Sequence, residues 1–331
     1  MYKINYFLRK RRKGANFSVE QIFNDLSKRF SSAYCVNNKV LPFVSSGIYK
    51  RLSNMLYALT NQGDINHVTG DINYIAIFLR KHKTISTILD LAILHRTKGI
   101  KRKILLTIWF KWPVYRSKWV TVISESTKQD LLKNVNCNPD KIRVVYVPIS
   151  KSFNRVDKVF NNECPTIMQI GGADNKNLKG LITAVKDIKC KLLIIGKISE
   201  ENQHSLEKYN ISYVNKVGIT FEEVIKSYVA SDILFFASTF EGFGMPILEA
   251  QAVGRPVITS NILSMPEVGG DAAIYVNPYD FNQIKIAIQS IIEDASLRQG
   301  LIEKGFKNIL RFDGDTIADQ YESLYIKMIK K

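Results

Sequence analysis

The sequence predicts an α/β protein of two parallel-sheet domains, and three observations carry that prediction. Short apolar runs alternate with helix-spaced amphipathic stretches, the pattern of a parallel sheet covered on both faces. A length of 331 residues suits two domains. A polar stretch over residues 150–162 separates one series of strand candidates from the next. Two such domains leave a cleft between them, and open parallel sheets bind ligands at the carboxyl ends of their strands.

The first domain is placed at 1–150. Residues 4–8 form a strand that runs into a basic loop around Gly14, and a helix follows over 19–30. Apolar runs predict strands at 65–68, 85–89 and 119–123. Ser126 is expected to cap a helix over 128–134, and a strand at 142–147 is stopped by Pro148. The second domain is placed at 151–315, with strands at 166–170, 191–195, 211–214, 232–237, 256–259 and 273–276. Between them run helices over 178–185, 221–230 with Thr220 as N-cap, 246–253 with Pro246 at its first position and Gly254 as its stop, 281–292 and 296–309. A terminal helix, 316–331, capped by Asp315 or Thr316, is expected to cross back to the first domain.

Composition excludes several classes. Hydrophobic residues at 46% and charged residues at 23% describe a globular chain rather than a disordered one. The four cysteines, at 35, 137, 164 and 190, show neither disulfide nor zinc spacing. No apolar run reaches the ~18 residues of a spanning helix, and no apolar stretch follows the basic run Arg9–Lys13 as an export signal requires. A cytoplasmic protein is expected. Charge is uneven: residues 1–150 hold 26 Lys and Arg against 8 Asp and Glu, and the remainder 21 against 22. The basic half suits an anionic partner, the alternative being a solvated surface with none. Residues 100–119 interleave Lys and Arg with Trp109, Phe110, Trp112 and Tyr115. That mixture suits an anionic membrane interface or ordinary core packing. No helix-turn-helix, zinc or stacking motif points to nucleic acid.

The densest chemical signal is Phe240-Glu241-Gly242-Phe243-Gly244-Met245-Pro246-Ile247-Leu248-Glu249-Ala250, directly after the strand at 232–237. Two glycines allow a tight turn and close ligand approach. The helix that begins at Pro246 turns its unpaired amides and positive dipole end toward the cleft, an arrangement suited to a diphosphate. A plain strand–turn–helix corner is the alternative.

The Glu241…Glu249 spacing resembles the E-x7-E signature of family 4 glycosyltransferases. The resemblance continues through Gly254-Arg255-Pro256 and Met265-Pro266-Glu267, and upstream through Ile170-Gly171-Gly172 and Asn175-Lys176-Asn177. It implies the GT-B fold, two Rossmann-like domains facing each other across a cleft. It also implies a retaining, hexosyltransferase-like enzyme that takes a sugar from a UDP- or GDP-sugar. The acceptor would be a glycan or lipid-linked molecule in cell-envelope polysaccharide or glycolipid synthesis. By that resemblance Lys176 binds the diphosphate, Glu249 the ribose hydroxyls and Glu241 the donor sugar. Gly171, Gly172, Asn175, Gly242, Phe243, Gly244 and Met245 line the donor path. At Gly172 the family usually carries an arginine.

In the first domain, Thr87-Ile88-Leu89-Asp90-Leu91 resembles a family segment with histidine at the place of Leu89. That leaves Asp90 and His67 as catalytic candidates, each equally readable as structural. Gly14 and Asn16, after the first strand, are acceptor-side candidates. Asp313-Gly314-Asp315 looks like a D-x-D metal motif but stands beside a helix cap; no metal and no other cofactor is expected. The expected partners are the nucleotide sugar, the acceptor and an anionic membrane at the inner face of the cytoplasmic membrane. The alternatives are a non-catalytic nucleotide-sugar-binding subunit or an epimerase of the same fold.

Overall fold

The computed structural model describes residues 1–10 and 18–329. The chain forms two compact units, one of Met1–Pro148 with Asp313–Lys331 and the other of Ile149–Phe312.

The first unit is built on a sheet of β1 (Tyr2–Leu8), β2 (Tyr34–Val40), β3 (Ile65–Val68), β4 (Thr84–Ile88), β5 (Trp119–Val122) and β6 (Ile142–Val144). Its order is β2-β1-β3-β4-β5-β6, with every pairing parallel. Period-2 alternation sends Phe7, Val68 and Ile88 to one face, where Ile72, Ile75, Trp109 and Phe110 pack. Ile4, Tyr6, Ile65 and Ile85 point to the other face. That face is covered by Phe23 and Leu26 of the helix Ser18–Ser27 and by Ile317, Tyr321 and Tyr325 of the helix Gly314–Ile329. The C-terminal helix is therefore part of the first unit's core.

The second unit holds β7 (Thr166–Ile170), β8 (Lys191–Ile195), β9 (Ser212–Lys216), β10 (Ile233–Phe236), β11 (Val257–Ser260) and β12 (Ile274–Val276). Its order is β12-β11-β10-β7-β8-β9, again all parallel. Counted within the unit this is the doubly wound order 3-2-1-4-5-6, and the winding reverses between β7 and β10. Ile167, Ile194, Phe235 and Ile258 join Leu181, Ile182, Ile284 and Ile288 in one core. The helix Phe221–Ala230 begins with a reciprocal capping box between Thr220 and Glu223. The helix Met245–Val253 ends at Gly254 in the left-handed region at φ 82°.

Several boundaries differ from expectation. Ser124, not Ser126, caps the helix Glu125–Asn134 by accepting from Thr127 N at 3.1 Å. Asp313, not Asp315 or Thr316, caps the final helix; its Oδ2 accepts from the Asp315 and Thr316 amides, each at 3.0 Å. These bonds hold the Asp313 carboxyl below its ordinary range, while Asp315 pairs with Arg29 at 2.6 Å. The D-x-D sequence is thus a helix start. The edge strand β2 and the helix Ile48–Thr60 have no counterpart among the predicted elements. Residues 100–119 are two short helices, Gly99–Leu105 and Trp112–Arg116, joined by the π-helical stretch Leu106–Lys111. Among the described residues no helix is long and apolar enough to cross a membrane.

Candidate functional site

The loops leaving β7 and β10 lie on either side of the reversal in the second sheet, where strand topology opens a crevice. Two hydrogen bonds lace them together: Asn175 Nδ2 donates to Phe240 O at 2.9 Å, and Thr239 N donates to Asn175 O at 2.8 Å. Asn177, left-handed at φ 60°, ties the start of the next helix to Ala237 O at 3.1 Å and Pro278 O at 2.7 Å.

Glycine is required at the base of this loop for two different reasons. Gly171 has φ 96°, and a Cβ there would stand 2.7 Å from the Lys176 side chain. A Cβ on Gly172 would fall 1.8 Å from the carbonyl oxygen of Lys197, in the loop after β8. Lys176 therefore folds over bare backbone. Its ammonium lies 4.9 Å from the centre of the Phe236 ring and pairs with Glu241 Oε1. The two side chains are only 22% and 16% exposed, so the pair is better shielded than a surface salt bridge.

Beyond Gly242 the chain reaches Phe243, buried and edge-on to Phe312 at 5.8 Å. Gly244, at φ 118°, begins the helix Met245–Val253. Ser264 Oγ donates to Phe243 O at 2.7 Å and so holds the turn from below. At the start of this nine-residue helix Pro246 has no N–H and the Ile247 amide donates to Gly244 O at 3.0 Å, which leaves the Met245 amide without a partner within the helix. Glu249 follows one turn later and accepts a hydrogen bond at Oε2 from the Tyr228 hydroxyl at 2.6 Å. Among the described residues no protein donor reaches its other oxygen. Burial pushes the Glu249 carboxyl from 4.5 up to about 7, against the opposing pull of the Tyr228 bond. Burial also holds the Tyr228 hydroxyl well above its ordinary range. The site thus gathers one shielded cation, the Glu241 side chain paired with it, a helix N-terminus and a carboxyl with a raised pKa. Such a set can neutralise a diphosphate and accept hydrogen bonds from hydroxyls.

Tyr228 was not among the sequence candidates. The available signal was a tyrosine on the apolar face of the helix Phe221–Ala230, since a buried phenol needs a hydrogen-bond partner. Arg255, part of the family-like Gly254-Arg255-Pro256, serves structure: Nη1 donates to Val156 O at 2.9 Å and Nη2 to Val229 O at 2.9 Å, fastening the linker.

The first unit's candidates divide. His67 is fully buried, with Nδ1 2.8 Å from the Tyr325 hydroxyl and Nε2 2.7 Å from Thr87 Oγ1. Burial lowers its pKa to about 3. It is a core histidine beneath the C-terminal helix with both ring nitrogens occupied, which agrees with the structural one of its two sequence readings. Asp90 is exposed and accepts from Ala92 N at 2.8 Å. It lines a cavity of about 510 Å³ shared with Arg9, Arg51, Asp71, Arg96 and Trp109. Gly14 and Asn16 lie outside the described residues.

Residues 150–308 match the family model described as "Glycosyl transferases group 1". Over 256 residues the chain is 28% identical to the O-antigen chain mannosyltransferase RfbU of Salmonella typhimurium, covering 73% of this chain and 70% of that protein. Over 262 residues it is 27% identical to the capsular polysaccharide biosynthesis glycosyltransferase CapM of Staphylococcus aureus, covering 72% and 69%. A shorter stretch of 104 residues is 35% identical to the O-antigen chain mannosyltransferase B of Escherichia coli, 31% of this chain and only 27% of that protein. Among solved structures, HepE of Anabaena in complex with UDP and glucose has a TM-score of 0.82 at 14% identity, covering 99% of this chain and 100% of that one. The sucrose-phosphate synthase of Thermosynechococcus elongatus has 0.81 at 17%, covering 99% of both. At such identities the structural likeness establishes a shared fold, that of the GT-B glycosyltransferases.

Proposed function

This chain belongs to the group 1 glycosyltransferase family through its second unit, and from that premise we propose that it moves a sugar from a UDP- or GDP-sugar onto a glycan or lipid-linked acceptor with retention of configuration. The setting we assign is cell-envelope polysaccharide or glycolipid synthesis, supported by RfbU, named an O-antigen chain mannosyltransferase, and CapM, named for capsular polysaccharide biosynthesis. The observation that carries this reading is the convergence of Lys176, Glu241 and the helix Met245–Val253 on the β7/β10 reversal, with Glu249 one turn into that helix.

In this reading the donor diphosphate replaces Glu241 as the partner of Lys176 and meets the amides at the helix start. The released Glu241 turns to the donor sugar, and Glu249 accepts bonds from the ribose hydroxyls. Negative charge grows on the departing diphosphate in the transition state. Lys176 and the helix dipole are fixed where that charge appears, which is the arrangement that lowers a barrier. The acceptor hydroxyl attacks the anomeric carbon on the face from which the diphosphate leaves: the new glycosidic bond forms as the bond to the phosphate oxygen breaks, the hydroxyl proton passes to that departing oxygen, and the anomeric configuration is kept. Charge neutralisation is assigned to protein groups, and activity in EDTA is expected. The basic first unit is assigned to an anionic membrane surface at the cytoplasmic face.

Thermal shift against a panel of nucleotide diphosphates and nucleotide sugars tests the donor assignment. Ligand at 100 times its Kd adds about 2.7 kcal/mol. A shift with UDP or GDP that disappears in Glu249→Ala is expected. No shift with any nucleotide would overturn the reading. Proton NMR of the first-formed product reports retention or inversion, and a requirement for added metal after EDTA would refute the metal-free assignment.

A further inference from the structure

The helix Ile48–Thr60 turns most of its apolar side chains outward, where a surface helix normally buries them. Asn54, Met55 and Ala58 form its buried face. Asn54 is bonded there to the backbone of Phe43 and to the Tyr74 hydroxyl. The second face consists of Ile48, Tyr49, Leu52, Leu56 and Leu59, exposed at 72, 88, 45, 54 and 43%. At ~100° per residue these five side chains fall within an arc of about 100°. Val40 and Phe43, just before the helix, are exposed as well. A contiguous apolar stripe of this kind on a water-facing helix marks a surface that something covers.

Charge selects the occupant. From Lys39 to Gly63 the sequence holds no carboxylate, while Lys39, Lys50 and Arg51 fall in that interval. A second copy docking through the same stripe would bring two acid-free, basic segments together and set like charge against like charge. An anionic bilayer offers both hydrocarbon for the stripe and negative charge for the cations. At roughly 20 Å the helix is too short to span a membrane and suits an in-plane position. The same helix supplies Arg51 to the wall of the cavity that also holds Asp90, its guanidinium 4.7 Å from the Trp109 ring centre. Docking through the stripe therefore brings a wall of that cavity close to the lipid surface.

We infer that the outer face of the helix Ile48–Thr60 is the surface by which this protein lies on an anionic membrane. The inference rests on the membrane assignment made above and gives it a location. The sequence expectation placed the contact at residues 100–119; there Leu105, Trp109, Phe110 and Val114 are buried in the core, while Ile100, Ile104, Trp112 and Tyr115 are exposed.

The test is co-sedimentation of the full chain with vesicles of phosphatidylcholine containing about one third phosphatidylglycerol, with pure phosphatidylcholine as the neutral comparison. The variant combines Ile48→Ser, Leu52→Gln, Leu56→Gln and Leu59→Gln, all at exposed positions. Circular dichroism and the nucleotide-induced thermal shift establish that it is folded. A second variant, Ile104→Gln with Trp112→Ala, alters exposed positions of the other segment. Wild type is expected to bind the anionic vesicles, the four-site variant to lose binding by at least about tenfold, and the second variant to bind like wild type. If wild type ignores anionic vesicles, the membrane assignment fails and takes this inference with it. If wild type and the four-site variant bind equally, only the location is wrong. If wild type is a dimer in size-exclusion chromatography and the four-site variant a monomer, a second copy covers the stripe and the proposal is overturned.

Discussion

Glu249 makes donor binding a function of pH, and the direction follows from its surroundings. Its carboxyl sits at about 7 rather than 4.5 because burial disfavours the charge. In the empty protein this means a preference for the neutral form of at most about 3 kcal/mol over a free carboxyl. The folded state keeps a proton that the unfolded chain has already released between pH 4.5 and about 7. Stability from this group is therefore greatest below 4.5 and declines as pH rises to about 7. A ribose that donates two hydroxyls favours the opposite form, the carboxylate. Charge-assisted hydrogen bonds are roughly twice as strong as neutral ones, a gain of about 0.7 kcal/mol per bond, so the two together give about 1.4 kcal/mol, or about tenfold in affinity. Calorimetric titration with an intact UDP- or GDP-sugar measures this. The Kd is expected to tighten about tenfold from about pH 6 to about pH 8 and to level off above. Tyr228→Phe removes the bond that holds the carboxyl down and is expected to move the midpoint upward by on the order of one pH unit. Glu249→Gln is expected to bind weakly with no dependence on pH. A wild-type curve that coincides with that of Glu249→Gln would refute the assignment of the ribose contact to Glu249.

Three further outcomes follow from the geometry. Lys176→Ala removes the cation paired with Glu241 and is expected to lower kcat by roughly 10²–10³ while the melting temperature changes little; near-normal turnover would displace Lys176 from the diphosphate. Gly172→Ala drives a methyl into the carbonyl of Lys197, so the β7 loop must shift; a loss of about 1–3 kcal/mol in stability and a clear rise in donor KM are expected in chemical denaturation and steady-state assays. His67→Leu leaves the Tyr325 and Thr87 hydroxyls short of a partner and is expected to cost about 2–3 kcal/mol. The nucleotide-induced thermal shift is retained in that variant, and stability unchanged with activity lost would restore a catalytic role for this histidine.

What the sequence reveals of this protein follows from which signals are local. The strand–glycine–proline–helix run from Phe236 to Val253 is readable because each part announces itself: an apolar strand, glycines where the turn needs them, proline at the helix start. The partners across the site are not local. Lys176 and Glu241 stand 65 residues apart, and Tyr228 reaches Glu249 from a neighbouring helix. His67 resembles a site histidine at the end of a strand. Only the tertiary fold brings Tyr325, 258 residues away, onto its ring. The helix Ile48–Thr60 carries a regular helical stripe, Ile48, Leu52, Met55, Leu56 and Leu59, that a periodicity search can find; what the sequence hides is that most of this stripe faces outward. The strand β2 escapes because Asn37, Asn38 and Lys39 break its apolar run at the sheet edge.

Strand order explains why the chemistry collects where it does. At the β7/β10 reversal the following connections leave in opposite directions, so two loops part and expose backbone that a continuous winding would cover. Lys176 is in the β7 loop and Glu241 in the β10 loop. The first sheet has its own reversal, between β1 and β3. There Arg9 follows β1 and Gly70 and Asp71 follow β3, and all three line the cavity that Asp90 enters from the end of β4. His67 lies within β3, on the face covered by the C-terminal helix, and so on the closed side of that sheet. The topology that places the donor residues in the second unit thus directs the search for acceptor-side chemistry to Asp90, Asp71 and their arginines, and away from the only histidine in the first sheet's strands.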